Sequence, residues 1–430
     1  MTTETARRGQ VAAWAMWDFG SAAFNAVLVT FIFSVYLVDS VGADVAGVFT
    51  SAQYLSVALA AAGLAIAAIT PIMGQRADIT GTRRKALGTW TFITVALMAA
   101  LVLVRNDANW YFFLGLALLT LGTVTFEFAE VNYFAQLNQI STPTTVGRIS
   151  GFGWAAGYVG GIILLLLCYV GFVAGEGDTR GMLGIPIEGG LNIRLVALFA
   201  AVWFALAALP VLFKVPEIAP SGEKAGTIPD SYRRLVRELK ELWRTDRRSV
   251  RFLIASAVFR DGLAGAFTYG AILGVSVYGL QPADVLIFGV AANVAAALGA
   301  VLGGLIDDRF GPKPVILGSL FALVIVAVAL FFAHGALAFW ILGLFLCLFV
   351  GPAQSSSRSF LTRVIPTGRE GQMFGFYATT GRAASWLSPI AFFLLVSLGG
   401  GDDRWGVLGI GLVLLIGAAL MLGVRDAERV

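Results

Sequence analysis

Long apolar runs, broken by short polar or Gly/Pro-containing segments, dominate this chain. A helix needs about 20 largely apolar residues to cross the hydrocarbon core of a bilayer. Twelve runs meet that requirement: 11–38, 48–73, 87–104, 110–137, 149–173 and 191–213, then 252–278, 285–306, 315–333, 336–361, 373–398 and 405–424. Hydrocarbon offers no water to unpaired backbone groups, so each run is predicted as a helix. The expected fold class is an all-α membrane protein with twelve transmembrane helices. One long polar stretch splits the runs six and six, which predicts a bundle over 1–213, a linker over 214–249 and a second bundle over 250–430. In the linker, Pro216, Pro220, Gly222 and Gly226 read as flexible coil. Beyond them Leu235, Leu239 and Leu242 recur at helical spacing among Arg233, Arg234, Arg237, Lys240 and Arg244. That pattern predicts a basic amphipathic helix, either lying on the inner membrane surface or solvated.

Composition agrees with lipid as the solvent. Of 430 residues 58% are hydrophobic and 13% charged, against about 45–50% and 25% in soluble domains. The Lys/Arg distribution sets the expected orientation. With the N-terminus inside, 23 basic residues fall on the cytoplasmic side, four on the outer side (Arg105, Arg180, Arg404, and Arg194 at the outer end of the sixth run) and three deeper within spans (Arg260, Arg358, Arg382). Both termini are therefore expected in the cytoplasm, the protein in the cell (inner) membrane. The first apolar run is too long for a signal-peptide core and reads as the first span. The net charge of +4 follows from this topology and implies no nucleic acid. Cys168 and Cys347 lie in apolar runs and read as small hydrophobes, and the lone His334 makes a metal site improbable. Neither a phosphate-cradling Gly-rich loop with Lys-Ser/Thr nor a nucleophile triad occurs, so no cofactor, ATP hydrolysis or enzyme activity is expected.

The two halves echo each other. Gly74, Asp78, Gly81, Arg83, Arg84 and Lys85 follow the second run; Gly304, Asp308, Arg309, Gly311 and Lys313 follow the eighth, at an offset of 230 residues for the first glycine and the aspartate. Trp17-Asp18-Phe19-Gly20 in the first run parallels Arg260-Asp261-Gly262-Leu263 in the seventh, and Gly151 and Gly157 in the fifth parallel Gly375 and Gly381 in the eleventh. Such repeats are expected when transporter halves are related by an axis along the membrane normal.

The doubled glycine–aspartate–glycine–basic pattern resembles the loop signature of the major facilitator superfamily. The resemblance implies two pseudo-symmetric six-helix bundles, and a latch in which Asp78 and Asp308 face the N-termini of the eleventh and fifth helices. Gly81 and Gly311 permit the tight turns, and the basic residues stay at the inner headgroups. The bland alternative is that these residues only set loop topology. Within the superfamily the chain looks like the vacuole-effluxer branch, whose fungal member exports amino acids. The likeness rests on Trp14 to Phe24, Arg148 to Gly161, Arg260-Asp261-Gly262, Gly351-Pro352-Ala353-Gln354, Ser357-Arg358-Ser359, Gly375-Phe376-Tyr377 and Gly381-Arg382-Ala383. Departures are Ser21-Ala22 where the branch has an asparagine-serine pair, Arg260 where it often has asparagine, and Phe134 and Asn138 near the fourth-helix end. The likeness implies alternating access with a small amino-acid-like solute, a working monomer and membrane lipids around it. A multidrug or lipophilic-cation exporter and a non-transporting sensor are the competing readings.

Charges at mid-bilayer cost about 2.5–3.5 kcal/mol, so they mark a cavity or a partner. The candidates are Asp18, Glu127, Glu130, Arg260, Asp261, Arg358 and Arg382, with the polar Asn25, Asn132, Gln136, Asn293 and Gln354. Glu127 and Glu130 share one helix face, and close, buried carboxylates resist double ionisation. They are expected either to switch protonation and couple transport to protons, with Asp18 as second choice, or to pair structurally with Arg358 or Arg382. Acids in one half and arginines in the other suit a zwitterion. Trp14, Trp17, Trp154 and Trp386 read as packing or interfacial residues more readily than as stacking partners of a solute.

Overall fold

A computed structural model describes the chain except residues 1, 46–50, 221–226, 281, 367 and 427–430. The start of the second predicted run at 48 and the linker glycines Gly222 and Gly226 lie outside the described residues. Among those described, eleven helical stretches are long and apolar enough to cross a membrane: Arg8–Val41, Val57–Thr80, Arg83–Leu103, Trp110–Ile140, Val146–Val173, Glu188–Lys214, Ile287–Phe310, Pro312–Phe332, Ala336–Val364, Glu370–Leu398 and Arg404–Leu422. The seventh predicted run is also a helix, Arg247–Ser276, of 30 residues, and thus about 45 Å long. It is not one of the eleven: Arg260 and Asp261 fall inside its apolar portion.

Several helices depart from uniform α geometry. The first passes from α-helix (Thr2–Ala22) into two π-helical stretches, Ala23–Phe31 and Leu37–Val41, and the fifth ends in a third, Tyr169–Val173. The eleventh is broken into Glu370–Ala384 and Leu387–Leu398. A two-stranded hairpin, Thr179–Arg180 with Ile185–Pro186, adds the little β structure that hydropathy could not foresee. Its turn relies on Gly181 and Gly184 at φ +68° and +59°, a region open to glycine at no steric cost. The linker helix spans Ile228–Thr245, with a capping box between Thr227 and Asp230. The Thr227 hydroxyl, bonded to the Asp230 carboxyl, holds that carboxyl below its usual range.

The chain folds into two compact units: 1–69, 81–133 and 156–219 form one; 70–80, 134–155 and 220–430 form the other. The ends of the second, fourth and fifth helices thus belong with the second half. The first unit is centred on aromatic stacking. Trp14 and Trp17 stack on Tyr133 at 4.4 and 4.3 Å, and Phe24 on Phe126 at 5.2 Å. The indole N–H groups donate to Tyr133 O and Thr91 Oγ1, both at 3.0 Å. Both tryptophans are fully buried within this stack.

In the second unit, small residues bring helices together, the usual device where lipid supplies no hydrophobic drive. A Cβ on Gly299 would collide with Leu348 O, and one on Gly351 with Ala296 O. Beside this seam lies an apolar cavity of about 60 Å³, lined by Gly270, Leu273, Phe288, Phe339 and Cys347 among others. A Cβ on Gly270 would meet nothing within 4 Å. Gly270→Ala is therefore expected to stabilise the unit by about 1 kcal/mol, through helix propensity at no steric cost. The thermal unfolding midpoint in detergent should rise; a midpoint that falls would show the space is not free.

Candidate functional site

An α-helix leaves its first N–H groups without intrahelical partners, and its dipole favours an anion there. Two aspartates in the second unit use this. Asp78, almost wholly buried, accepts from Gly371 N at 3.1 Å and Gln372 N at 3.0 Å, at the start of Glu370–Ala384. Asp308 accepts from Gly147 N at 2.7 Å and Arg148 N at 3.2 Å, at the start of Val146–Cys168. Glycines make the approach possible: a Cβ on Gly74 would collide with Gly371 O, and one on Gly304 would lie 2.6 Å from Gly147 O. The two contacts are equivalent under the internal repeat. Gly81 and Gly311 turn the chain at φ +68° and +92°. Arg83 is buried, Arg309 lies over the Phe310 ring at 5.5 Å, and Lys313 Nζ donates to Leu422 O at 3.3 Å.

Three further carboxylates join in that neither hydropathy nor the repeat singles out as functional. Asp307, fully buried, pairs with Arg363 and accepts from Ser359 Oγ at 3.2 Å. Arg363 also reaches Asp308 Oδ1 at 3.6 Å and Pro143 O at 3.3 Å. Glu370 accepts from Asn138 Nδ2 and from Gly368 N, each at 2.9 Å. In the first unit Glu217 caps another helix, accepting from Arg84 N at 2.7 Å and Lys85 N at 3.1 Å. The Asp307-Asp308 doublet was the available signal; it could not say which partner each residue meets.

The remaining candidates divide. Asp18 accepts from Tyr133 OH at 3.3 Å and from Ser21 Oγ, and a Cβ on Gly157 would sit 3.2 Å from it. Glu127 is buried and Glu130 partly buried on the fourth helix. Asn132 Nδ2 donates to Phe128 O at 2.7 Å, and Gln136 is buried. Asn25 is exposed within the first π-helical stretch, Gln354 is partly buried, and Asn293 bonds to Gly289 O at 2.8 Å. Arg358 is buried among protein groups: Nε donates to Ser150 Oγ at 3.0 Å and Nη2 to Ser150 O at 2.6 Å, with the Phe134 and Trp154 rings at 5.0 and 5.6 Å.

Arg260 lies over the Tyr377 ring at 3.7 Å and donates to Tyr377 O at 3.0 Å. Asp261 turns elsewhere and accepts from Ser388 N at 2.6 Å, capping the second piece of the broken eleventh helix. Arg382 is exposed just before that break. Among the described residues no group of three or more His, Cys, Asp or Glu is placed to hold a metal, and both cysteines are buried free thiols.

Residues 135–429 match the family described as Vacuole effluxer Atg22 like. The chain is 24% identical over 414 residues to the uncharacterized MFS-type transporter YxiO of Bacillus subtilis (strain 168), covering 96% of this chain and 94% of that one. It is 27% identical over 307 residues to autophagy-related protein 22 of Cryptococcus neoformans var. neoformans serotype D (strain B-3501A), covering 66% of this chain and 54% of the relative. The chain thus spans about half the length of the fungal relatives it matches. Among solved structures, the major facilitator proton:xylose symporter XylE superposes with a TM-score of 0.76 at 12% identity, over 99% of this chain and 97% of that one. The transporter FucP in its outward conformation gives 0.72 at 15% identity, over 97% and 98%. At such identities the likeness is one of fold.

Proposed function

Because the chain belongs to the Vacuole effluxer Atg22 like family and has the major facilitator fold of a membrane transporter rather than an enzyme, we propose that it carries a small polar or zwitterionic, amino-acid-like solute by alternating access. The observation that carries this reading is the repeated aspartate-on-helix-end contact. Each contact is two charge-assisted hydrogen bonds, worth about 0.3–2 kcal/mol, strong enough to bias one state and weak enough to break in each cycle. Gly74, Asp78, Gly81, Arg83 and Arg84, with Gly304, Asp308, Arg309, Gly311 and Lys313, act as the latch of the cytoplasmic side. The Lys/Arg distribution supports cytoplasmic termini and a place in the cell membrane, and the protein works as a monomer.

Glu127 and Glu130, with Asp18, couple solute movement to protons. Reconstituted protein should take up an amino acid faster when the pH gradient is imposed than when it is collapsed. Glu127→Gln and Glu130→Gln, singly and together, should remove most of that acceleration while exchange without a gradient persists. Proton-driven uptake that survives both single changes and the double would refute the coupling, and no gradient-dependent or exchange flux of any amino acid would refute the solute class.

A further inference from the structure

We infer that Arg260 is the subsite for a carboxylate of the carried solute, an inference that rests on the transport reading above. The residue sits 13 positions into the helix Arg247–Ser276 and eight past 252, where the apolar run begins, about 12 Å along the axis from that point. A guanidinium at that depth is kept against a cost of kilocalories unless something anionic or wet meets it.

The site is built to hold the guanidinium. One face of the plane rests on the Tyr377 ring at 3.7 Å, and Nη1 is anchored to Tyr377 O at 3.0 Å. Tyr377 is itself fixed, buried to 3% exposure with its hydroxyl 2.8 Å from the buried Ser357 Oγ. Gly381 leaves room: a Cβ there would press on Nη1 at 3.1 Å and Nη2 at 3.5 Å. Stacking plus a single backbone acceptor orients the plane and occupies one nitrogen. Nε and Nη2 meet no protein acceptor among the described residues, and no carboxylate there forms an ion pair with Arg260. The adjacent Asp261 is spent on Ser388 N at 2.6 Å. A planar fork of N–H donors matches a carboxylate in two parallel hydrogen bonds.

The internal repeat sharpens the point. The position equivalent to Arg260 is Trp17, fully buried, its N–H given to Thr91 Oγ1 at 3.0 Å. One half uses the position for packing, the other for an oriented cation that has no acidic partner among the described residues. Likewise Gly157 gives room to Asp18 where Gly381 gives it to Arg260.

The test uses the purified full chain and thermal-shift titration with glycine, leucine, lysine and glutamate, each beside its methyl ester, and with inorganic phosphate. At least one acid should protect the wild type while its ester does not. Arg260→Gln should weaken that acid by about tenfold or more, the scale of a lost charge-assisted pair. Gly381→Val, which displaces the guanidinium without removing its charge, should do the same and keeps the test alive if Arg260→Gln misfolds. Arg260→Lys should recover only part of the affinity.

Equal protection by acid and ester, acid affinity within about twofold of wild type in both variants, or phosphate protecting as well as any acid would overturn the inference. Uptake assays separate the two readings. An acid carried equally by wild type and Arg260→Gln removes the subsite and leaves transport standing; an acid that binds but is never carried removes both.

Discussion

Gly74→Val is expected to cut solute uptake by at least about tenfold in vesicles that contain a normal amount of inserted protein. The Cβ would be driven into Gly371 O, and Gly371 is one of the two residues whose N–H groups hold Asp78. Neither backbone can yield without breaking a helix turn, so overpacking of about 1–3 kcal/mol falls on the state that makes this contact. A bias of that size shifts a two-state equilibrium by about 5–150-fold. Gly304→Val should behave alike through Gly147 O, 2.6 Å from the added atom. Asp78→Asn keeps the shape but loses the charge and one of the two acceptor oxygens; it clashes with no backbone, so its loss of rate should be smaller than that of Gly74→Val. Uptake by Gly74→Val at the wild-type rate would mean that the contact takes no part in the cycle.

The second large effect is on stability. Asp307→Ala is expected to cost about 3 kcal/mol, near the lower end of the range for breaking a buried ion pair. Asp307 is fully buried and Arg363 only 10% exposed, so the arginine would keep its desolvation cost and lose its main partner. Asp308, 3.6 Å from Arg363, supplies part of the lost attraction and keeps the cost from rising further. Replacing both residues with leucine should recover more than half of the loss. Thermal unfolding of the two single variants and the double, run as a cycle, reads the coupling directly. Strictly additive losses would show that the pair is not coupled.

Much of the architecture was legible in the hydropathy pattern. The apolar runs correspond to helices, and the broken eleventh helix still falls within one continuous run. Legibility was lower at the breaks. The interruption between Ala384 and Leu387 is completed by Asp261 reaching Ser388 N from 127 residues away. Arg358 illustrates the same limit: it finds Ser150, 208 residues earlier, on the fifth helix.

What the sequence determined by itself is the material of the protein: helices of membrane-crossing length, two related halves, and the few charged residues kept inside them. Hydrocarbon forbids unpaired backbone and penalises charge, so composition along the chain is enough to reveal both. Which partner each of those charges meets is set by the packed fold. Asp307 and Asp308 are neighbours in sequence, but about 100° apart around a helix. Packing alone sends one to Arg363 and the other to the end of the fifth helix. Trp17 and Arg260 hold equivalent places in the repeat, yet one is sealed in an aromatic core while the other lies oriented on Tyr377. The contact that separates such residues forms between segments distant in sequence, where no local pattern reaches.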